Sequence, residues 1–139
     1  MWIKVLGVIL FGTICLAFLC DLIVLDYAYS SAGRGVEHSI DAGIIKSGIV
    51  VDAQNGLVQL NKPALQAAAK AEFIKYMGLT GDMENNIMKN SSYELSLVYD
   101  ENDVPWIEVK FYTHVSFTIR AVEYPVKVNR KIDFVSVYK

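Results

Sequence analysis

Between Val5 and Leu25 the chain carries one charged side chain, Asp21. At about 1.5 Å per residue, a helix over that run reaches about 31 Å, the thickness of a bilayer's hydrocarbon core. Such a segment has to be covered, by lipid or by protein. The roughly 110 residues that follow are enough for one modest core of their own. Residues 1–30 are therefore read as a transmembrane anchor helix and residues 31–139 as one extracytoplasmic domain. The rival reading is a cleaved signal peptide, with Lys4 as its basic start and Ala28-Tyr29-Ser30 or Ser30-Ser31-Ala32 as its exit. The apolar run is longer than an h-region and contains no proline, which favours the anchor. Lys4 and the amino terminus on one side, with Asp21 and Asp26 toward the other, place the N-terminus in the cytoplasm by the positive-inside rule.

The 139 residues have a net charge of −2 and no clustered Lys/Arg face, which argues against a nucleic-acid partner. Cys15 and Cys20, the two cysteines, both fall in the apolar run. Five apart on one helix, they point to different faces and cannot bridge each other, so they read as small apolar residues in lipid. No small residue stands just ahead of Cys20 to make a lipoprotein site.

The helix is expected to continue to about Val50, because Val36, Ile40 and Ile44 recur at four-residue spacing as one apolar stripe. Gly33 and Gly35 each cost about 1 kcal/mol against Ala in a helix interior, so a hinge is expected there. A second row, Ser31, Gly35, Ser39, Gly43 and Ser47, forms a shallow groove where another helix or a sheet can approach. Asp52–Gly56 reads as a turn and Leu57–Leu60 as a short extended piece. Asn61 is placed to cap a helix over Pro63–Met77, with Gly78 to end it. Asp82 is read as the cap of a brief further helix through Lys89.

From Tyr93 the period changes from 3.6 to 2. Leu95, Leu97 and Tyr99 share a face. In Trp106–Ile119, Ile107, Val109, Phe111, Val115, Phe117 and Ile119 alternate with Trp106, Glu108, Lys110, Tyr112, His114, Ser116 and Thr118. A third strand is expected from Pro125 through Tyr138, with Val126, Val128, Ile132, Phe134 and Tyr138 in phase. The fold class is α+β: a long N-terminal helix, transmembrane and then amphipathic, packs with a second helix against a three-stranded antiparallel meander.

Motifs that carry chemistry are missing from the sequence. It has no Gly-rich phosphate loop, no CxxC pair and no HExxH, and no cysteine lies outside the apolar run. Glu37, His38 and Asp41 are the one conceivable metal set, but adjacent helix residues diverge by about 100°. His114 reads as solvated or as the cross-strand partner of an acid. Trp106, Tyr112 and Tyr124, with Tyr93 nearby, make a candidate aromatic surface. No enzyme activity, cofactor, metal or small-molecule substrate is expected.

This layout resembles type IV pilins, and more closely the TadE-like pseudopilins of tight-adherence pili in their divergent Gram-positive form. The resemblance is carried by the anchor, Ser39-Ile40-Asp41-Ala42-Gly43, Gly56-Leu57-Val58-Gln59-Leu60, the helix Ala67–Met77 and the β-rich end. It implies a structural subunit of a cell-surface filament or secretion-type apparatus, whose partners are membrane lipid and copies of itself or related subunits. The alternatives are a non-polymerising single-pass accessory subunit and a secreted binding domain. Prepilins resemble one another most at a Gly with Glu five residues later. Here Gly7 is followed at that distance by Gly12, and Gly12 by Ala17. Asp21, near the outer end of the run, is read first as reaching the membrane interface; where subunits stack by their helices it is the substitute anion, meeting Lys4 of a neighbour staggered by about 25 Å along the helix. The expected assembly interface is Lys4, Gly7, Gly12, Asp21, Ser31, Gly35, Ser39, Gly43 and Ser47.

Overall fold

The computed structural model describes residues 1–47, 49–52 and 57–133. Helix α1 spans Trp2–Ser47, strands β1 and β2 span Ile49–Asp52 and Leu57–Leu60, and helix α2 spans Lys62–Met77. Strands β3 (Met88–Tyr99), β4 (Pro105–Ser116) and β5 (Glu123–Asp133) follow. β1 and β2 form a separate antiparallel pair, and β3, β4 and β5 form an antiparallel sheet in chain order. The architecture is α+β, with both helices laid on one face of the meander.

α1 is one unbroken helix of 46 residues, about 69 Å long. The hinge expected at Gly33 and Gly35 is not there, because both positions are held by contacts. A Cβ on Gly33 would lie 3.2 Å from the Arg130 guanidinium, and one on Gly35 would lie 3.0 Å from the Met77 sulfur. Packing of this kind outweighs the intrinsic cost of glycine in a helix. α1 ends at Ser47, short of Val50, since the β-branched run Ile49-Val50-Val51 enters β1 and pairs with Leu60, Gln59 and Val58. Of the turn expected at Asp52–Gly56, Asp52 is the last rung of the pair and the rest lies outside the described residues.

α2 is bounded as its sequence indicates. The Asn61 side chain accepts from the Ala64 N–H, Pro63 sits in the first turn, and Gly78 adopts the left-handed conformation (φ 61°). The helix runs antiparallel to α1 and buries Leu65, Ala69 and Phe73. Its Gln66 Nε2 also donates to the Leu95 carbonyl of β3 at 2.8 Å.

No helix follows Asp82. Residues 79–87 are turns, with Met83 at φ 60° and the Asn85 side chain accepting from the N–H groups of Ile87 and Met88. Local bonding by asparagine competes with helix formation, and Met88 already belongs to β3. β3 thus begins five residues before Tyr93. A bulge between Lys89 and Ser92, with Asn90 at φ 49°, lets Met88 and Tyr93 both face the core despite their opposite parity. β4 keeps strict alternation, burying Pro105, Ile107, Val109, Phe111, Thr113 and Val115, but stops at Ser116. Phe117 and Ile119 therefore lie in the β4–β5 loop. β5 starts at Glu123, with Pro125 on an edge strand opposite His114, where a missing N–H is tolerated. Val126 and Val128 face the core as expected, whereas Phe134 and Tyr138 lie outside the described residues.

The core is a sandwich of the two helices on the sheet. Ala28, Ala32, Val36, Ile40 and Ile44 from α1 meet Leu65, Ala69 and Phe73 from α2 and the buried faces of the strands. Phe73 packs on Tyr93 and Phe111, with ring centroids 4.9 and 4.7 Å apart. Tyr93 faces this core rather than the outer aromatic surface. Its hydroxyl is 2.8 Å from Ser39 Oγ, which donates to the Val36 carbonyl at 2.7 Å. Buried Ser39 is thus satisfied within the fold.

Two measurements on the full chain in detergent check this packing. A Cβ on Gly43 would lie 2.9 Å from Ala69 Cβ, itself fixed to the α2 backbone. Gly43→Val should lower unfolding stability by about 1–3 kcal/mol. Gly12→Val, where nothing lies within 4 Å of an added Cβ, should leave the domain's melting temperature unchanged. The second measurement concerns Tyr93, whose phenol burial pushes up to about 12 from 10.0, the Ser39 contact acting the other way. A folded-state value above the unfolded one gives stability that is complete below pH 10 and falls as pH rises toward 12. The stability advantage of the native chain over Tyr93→Phe should shrink across that window, by no more than about 1.4 kcal/mol per pH unit. A difference flat with pH would contradict the burial.

Candidate functional site

The distinguishing feature is a helix with two environments. From Met1 through Leu16 every residue is exposed. The most apolar 18-residue window of α1 has none of its residues buried, and by length and composition α1 is suited to cross a membrane. Trp2, Leu6, Val8, Phe11, Leu16 and Phe18 are all more than half exposed. Apolar exposure on every side of a helix is unstable in water, so this half of α1 needs a cover that the described residues do not provide. From Ala28 to Ile44 the same helix supplies the domain's core.

The structure places the expected interface residues in two groups. Lys4, Gly7 and Gly12 lie on the bare half, and nothing comes within 4 Å of a Cβ added at either glycine. Ser31, Gly35, Ser39, Gly43 and Ser47 lie on the packed half, and their groove is filled from inside the chain. Gly35 is covered by Tyr76 and Met77, and Gly43 by Ala69. Ser39 meets Tyr93, Ser31 lies 3.7 Å from the Met77 sulfur, and Ser47 donates to its own helix at Ile44. The groove does admit a close-packed helix, but that helix is α2. Gly35, Ser39 and Gly43 are buried and cannot also meet a neighbouring subunit.

Asp21, at the boundary between the halves, is also engaged within the chain. Its Oδ1 accepts from the Thr118 backbone N–H at 2.9 Å and from the Thr118 hydroxyl at 2.7 Å. The carboxylate thereby fastens the β4–β5 loop to α1 across 97 positions of sequence. Two short hydrogen bonds to a charged acceptor are of the stronger kind. They leave Asp21 without need of a neighbour's Lys4. Reading the sequence did not bring Thr118 forward, since a threonine in a loop has no signature as a carboxylate partner.

Elsewhere the charges trim the fold's surface. Lys46 pairs with Glu72 between the two helices, and its hydrogen bond holds the Glu72 carboxyl below the usual range. Arg130 crosses the flat surface left by Gly33 to reach Glu37 at 3.1 Å. Asp100 organises the β3–β4 turn, and backbone N–H donation from Val104 (2.9 Å), with Asn102 and Trp106 assisting, lowers its pKa.

The residues singled out for chemistry disperse. Glu37 pairs with Arg130 and His38 lies beside Tyr76 (ring centroids 5.1 Å), so the conceivable metal set does not converge. No group of three or more His, Cys, Asp or Glu side chains suited to a metal occurs among the described residues. His114 bonds the Tyr112 hydroxyl through Nε2 at 2.9 Å instead of an acid, and its Nδ1 is buried with no partner among the described residues. Lys127 and Lys131 lie over the rings of Tyr112 and Trp106, at 5.6 and 4.7 Å from the centroids, which interrupts the expected aromatic surface. Comparison with family models, curated proteins and solved structures gave no match.

Removal of the N-terminus shows how much of α1 is part of the fold and how much is merely attached. A chain starting at Asp21 should keep the domain's melting temperature. A chain starting at Gly33 loses buried Ala28 and Ala32 and the Thr118 bonds, and should be destabilised by about 2–4 kcal/mol. Equal stability of the two chains would show that the domain folds independently of α1 before Gly33.

Proposed function

We propose that the chain is a structural subunit, held in the membrane as a single-pass protein by α1 and assembled through the bare half of that helix. Its partners are membrane lipid and copies of itself or related pilin-like subunits. The product is a pilus-like filament or secretion-type apparatus at the cell surface. The reading assigns it no reaction and no cofactor.

The observation that carries the proposal is the division of one unbroken helix into a bare half and a half built into a domain core. A helix exposed on every side can be enclosed by lipid or by other apolar helices, and the two surroundings are nearly equivalent in polarity. Because one continuous helix runs from the bare half into the domain core, whatever grips it also sets the domain's position. The charges at its ends, Lys4 before the apolar run and Asp26 after it, support a cytoplasmic N-terminus and an extracytoplasmic domain. Loss of the helix by cleavage after Ser30 or Ala32 fits the fold less well. It would cut through α1 beside Ala28 and Ala32, both fully buried.

A second reading, an anchored accessory subunit that does not polymerise, has one observation in its favour. Asp21 and the small-residue groove, both expected to serve assembly, are engaged inside the chain. Electron microscopy of sheared surface material separates the two. Filaments containing the chain are expected, and Gly7→Trp or Gly12→Trp should abolish them while leaving the domain's melting temperature unchanged, since neither glycine has a neighbour within 4 Å. A chain that stays in the membrane as a monomer, with no filaments, would establish the accessory reading instead. Recovery of a soluble chain lacking its first thirty residues would eliminate both.

A further inference from the structure

The β4–β5 loop is apolar where a solvated loop is normally polar. Ile119 is 67% exposed and Val122 46%, and Tyr124, at the start of β5, is 45% exposed. With Phe117 they line an open cleft of about 350 Å³ whose other wall is Phe18, Leu22 and Leu25 of α1. The loop's other side is different in character. Arg120, and Glu123 where the loop enters β5, line a separate polar cleft with Glu84, Lys89 and Asn90. One apolar and one charged side on a single loop is the pattern of a segment lying in a membrane interface.

Its level along α1 agrees. With the apolar run Val5–Leu25 centred in the hydrocarbon, Asp21 lies about 9 Å from the centre, inside the leaflet on the domain's side. A carboxylate at that depth is costly unless its oxygens are bonded. Thr118 supplies that bonding through both its N–H and its hydroxyl. The same two bonds fix the loop at the depth of Asp21, which brings Ile119 and Val122 to the acyl chains. Tyr27 and Tyr29, 59% and 42% exposed, stand about 9–12 Å further along the helix, where headgroups lie. Trp2 stands at the opposite end, about 37 Å from Tyr27, close to the span between the two interfaces.

From this we infer that the β4–β5 loop is a second membrane contact. Phe117, Ile119, Val122 and Tyr124 enter the domain-side leaflet beside α1, and a lipid acyl chain fills the cleft between loop and helix. Arg120 stays at headgroup level. The domain is thereby held at two points, helix and loop, which opposes its tilting away from the bilayer surface. This inference rests on α1 crossing the membrane, and the test is arranged to keep the two apart.

The full chain is placed in phosphatidylcholine nanodiscs as single-cysteine versions carrying one fluorescent label each. The sites are native Cys15 with Cys20→Ser, and Ile119→Cys, Val122→Cys or Asn102→Cys with both native cysteines replaced by serine. Quenching is read with nitroxide lipids and, separately, with iodide in water. Asn102 lies in the β3–β4 turn, about 37 Å from the loop at the other end of β4. Labels at Cys15, Ile119 and Val122 should be quenched by lipid nitroxide, and the label at Asn102 by iodide alone. Adding Asp21→Ala should weaken lipid quenching at Ile119 about fivefold, the loss expected for releasing one hydrogen-bonded contact, while Cys15 is unchanged. If Cys15 is quenched by lipid but Ile119 behaves like Asn102, the loop contact is wrong and the anchor stands. If Cys15 is not quenched by lipid, the anchor itself fails. If the label at Ile119 is shielded from both quenchers, protein rather than lipid occupies the cleft, and the inference is overturned.

Discussion

Gly43 of α1 and Ala69 of α2 let two helix backbones come close enough that no larger side chain fits between them. The rest of the domain depends on that approach. With α2 seated against Gly43 at one end and its Met77 against Gly35 at the other, Phe73 is held over the sheet and wedged against Tyr93 and Phe111. Ser39 faces the same seam and takes up the Tyr93 hydroxyl, which would otherwise be a buried polar group without a partner. A bulkier residue at either glycine would lift α2 and withdraw the aromatic centre from the sheet.

Continuity of α1 follows from the same contacts. Glycines at 33 and 35 weaken a helix in isolation, but Arg130, Tyr76 and Met77 close over them and make bending costly. The ion pairs around the seam, Lys46 with Glu72 and Arg130 with Glu37, are exposed on at least one side and contribute little by themselves. Packing, not charge, keeps the helix continuous through its two glycines.

Much of this could be read from the residues. Asn61, Pro63 and Gly78 bound α2 because each acts locally, through a cap, a preset φ and a left-handed φ. β4 announces itself because apolar and polar residues alternate along it with a single departure, the buried Thr113. β3 is half hidden because the bulge before Ser92 reverses the parity of its buried residues, so Met88 and Tyr93 do not read as one strand. The supposed helix after Asp82 fails since Asn85 bonds the backbone ahead of it, a choice that composition alone leaves open. The small-residue groove was legible as a groove, yet its occupant was not. Four-residue spacing says that a helix can approach and does not say whether it belongs to the same chain. Asp21 poses the same difficulty more sharply, its partner Thr118 being a loop residue 97 positions away.

That ambiguity bears on how the proposed assembly would be specified. With Gly35, Ser39 and Gly43 committed to α2 and Asp21 to Thr118, the surface left for helix contacts is the run from Val5 to Cys20. It is apolar on all sides and broken by small residues only at Gly7, Gly12, Thr13, Cys15, Ala17 and Cys20. A surface of that kind adheres to apolar helices and to lipid alike, since neither polarity nor a fixed donor and acceptor pattern tells them apart. Selectivity between subunits therefore has to come from the domain. In the proposed assembly that role would fall to the charged outer face of the sheet, where Glu94, Glu108, Lys110, Lys127 and Lys131 lie in neighbouring positions and present both signs of charge.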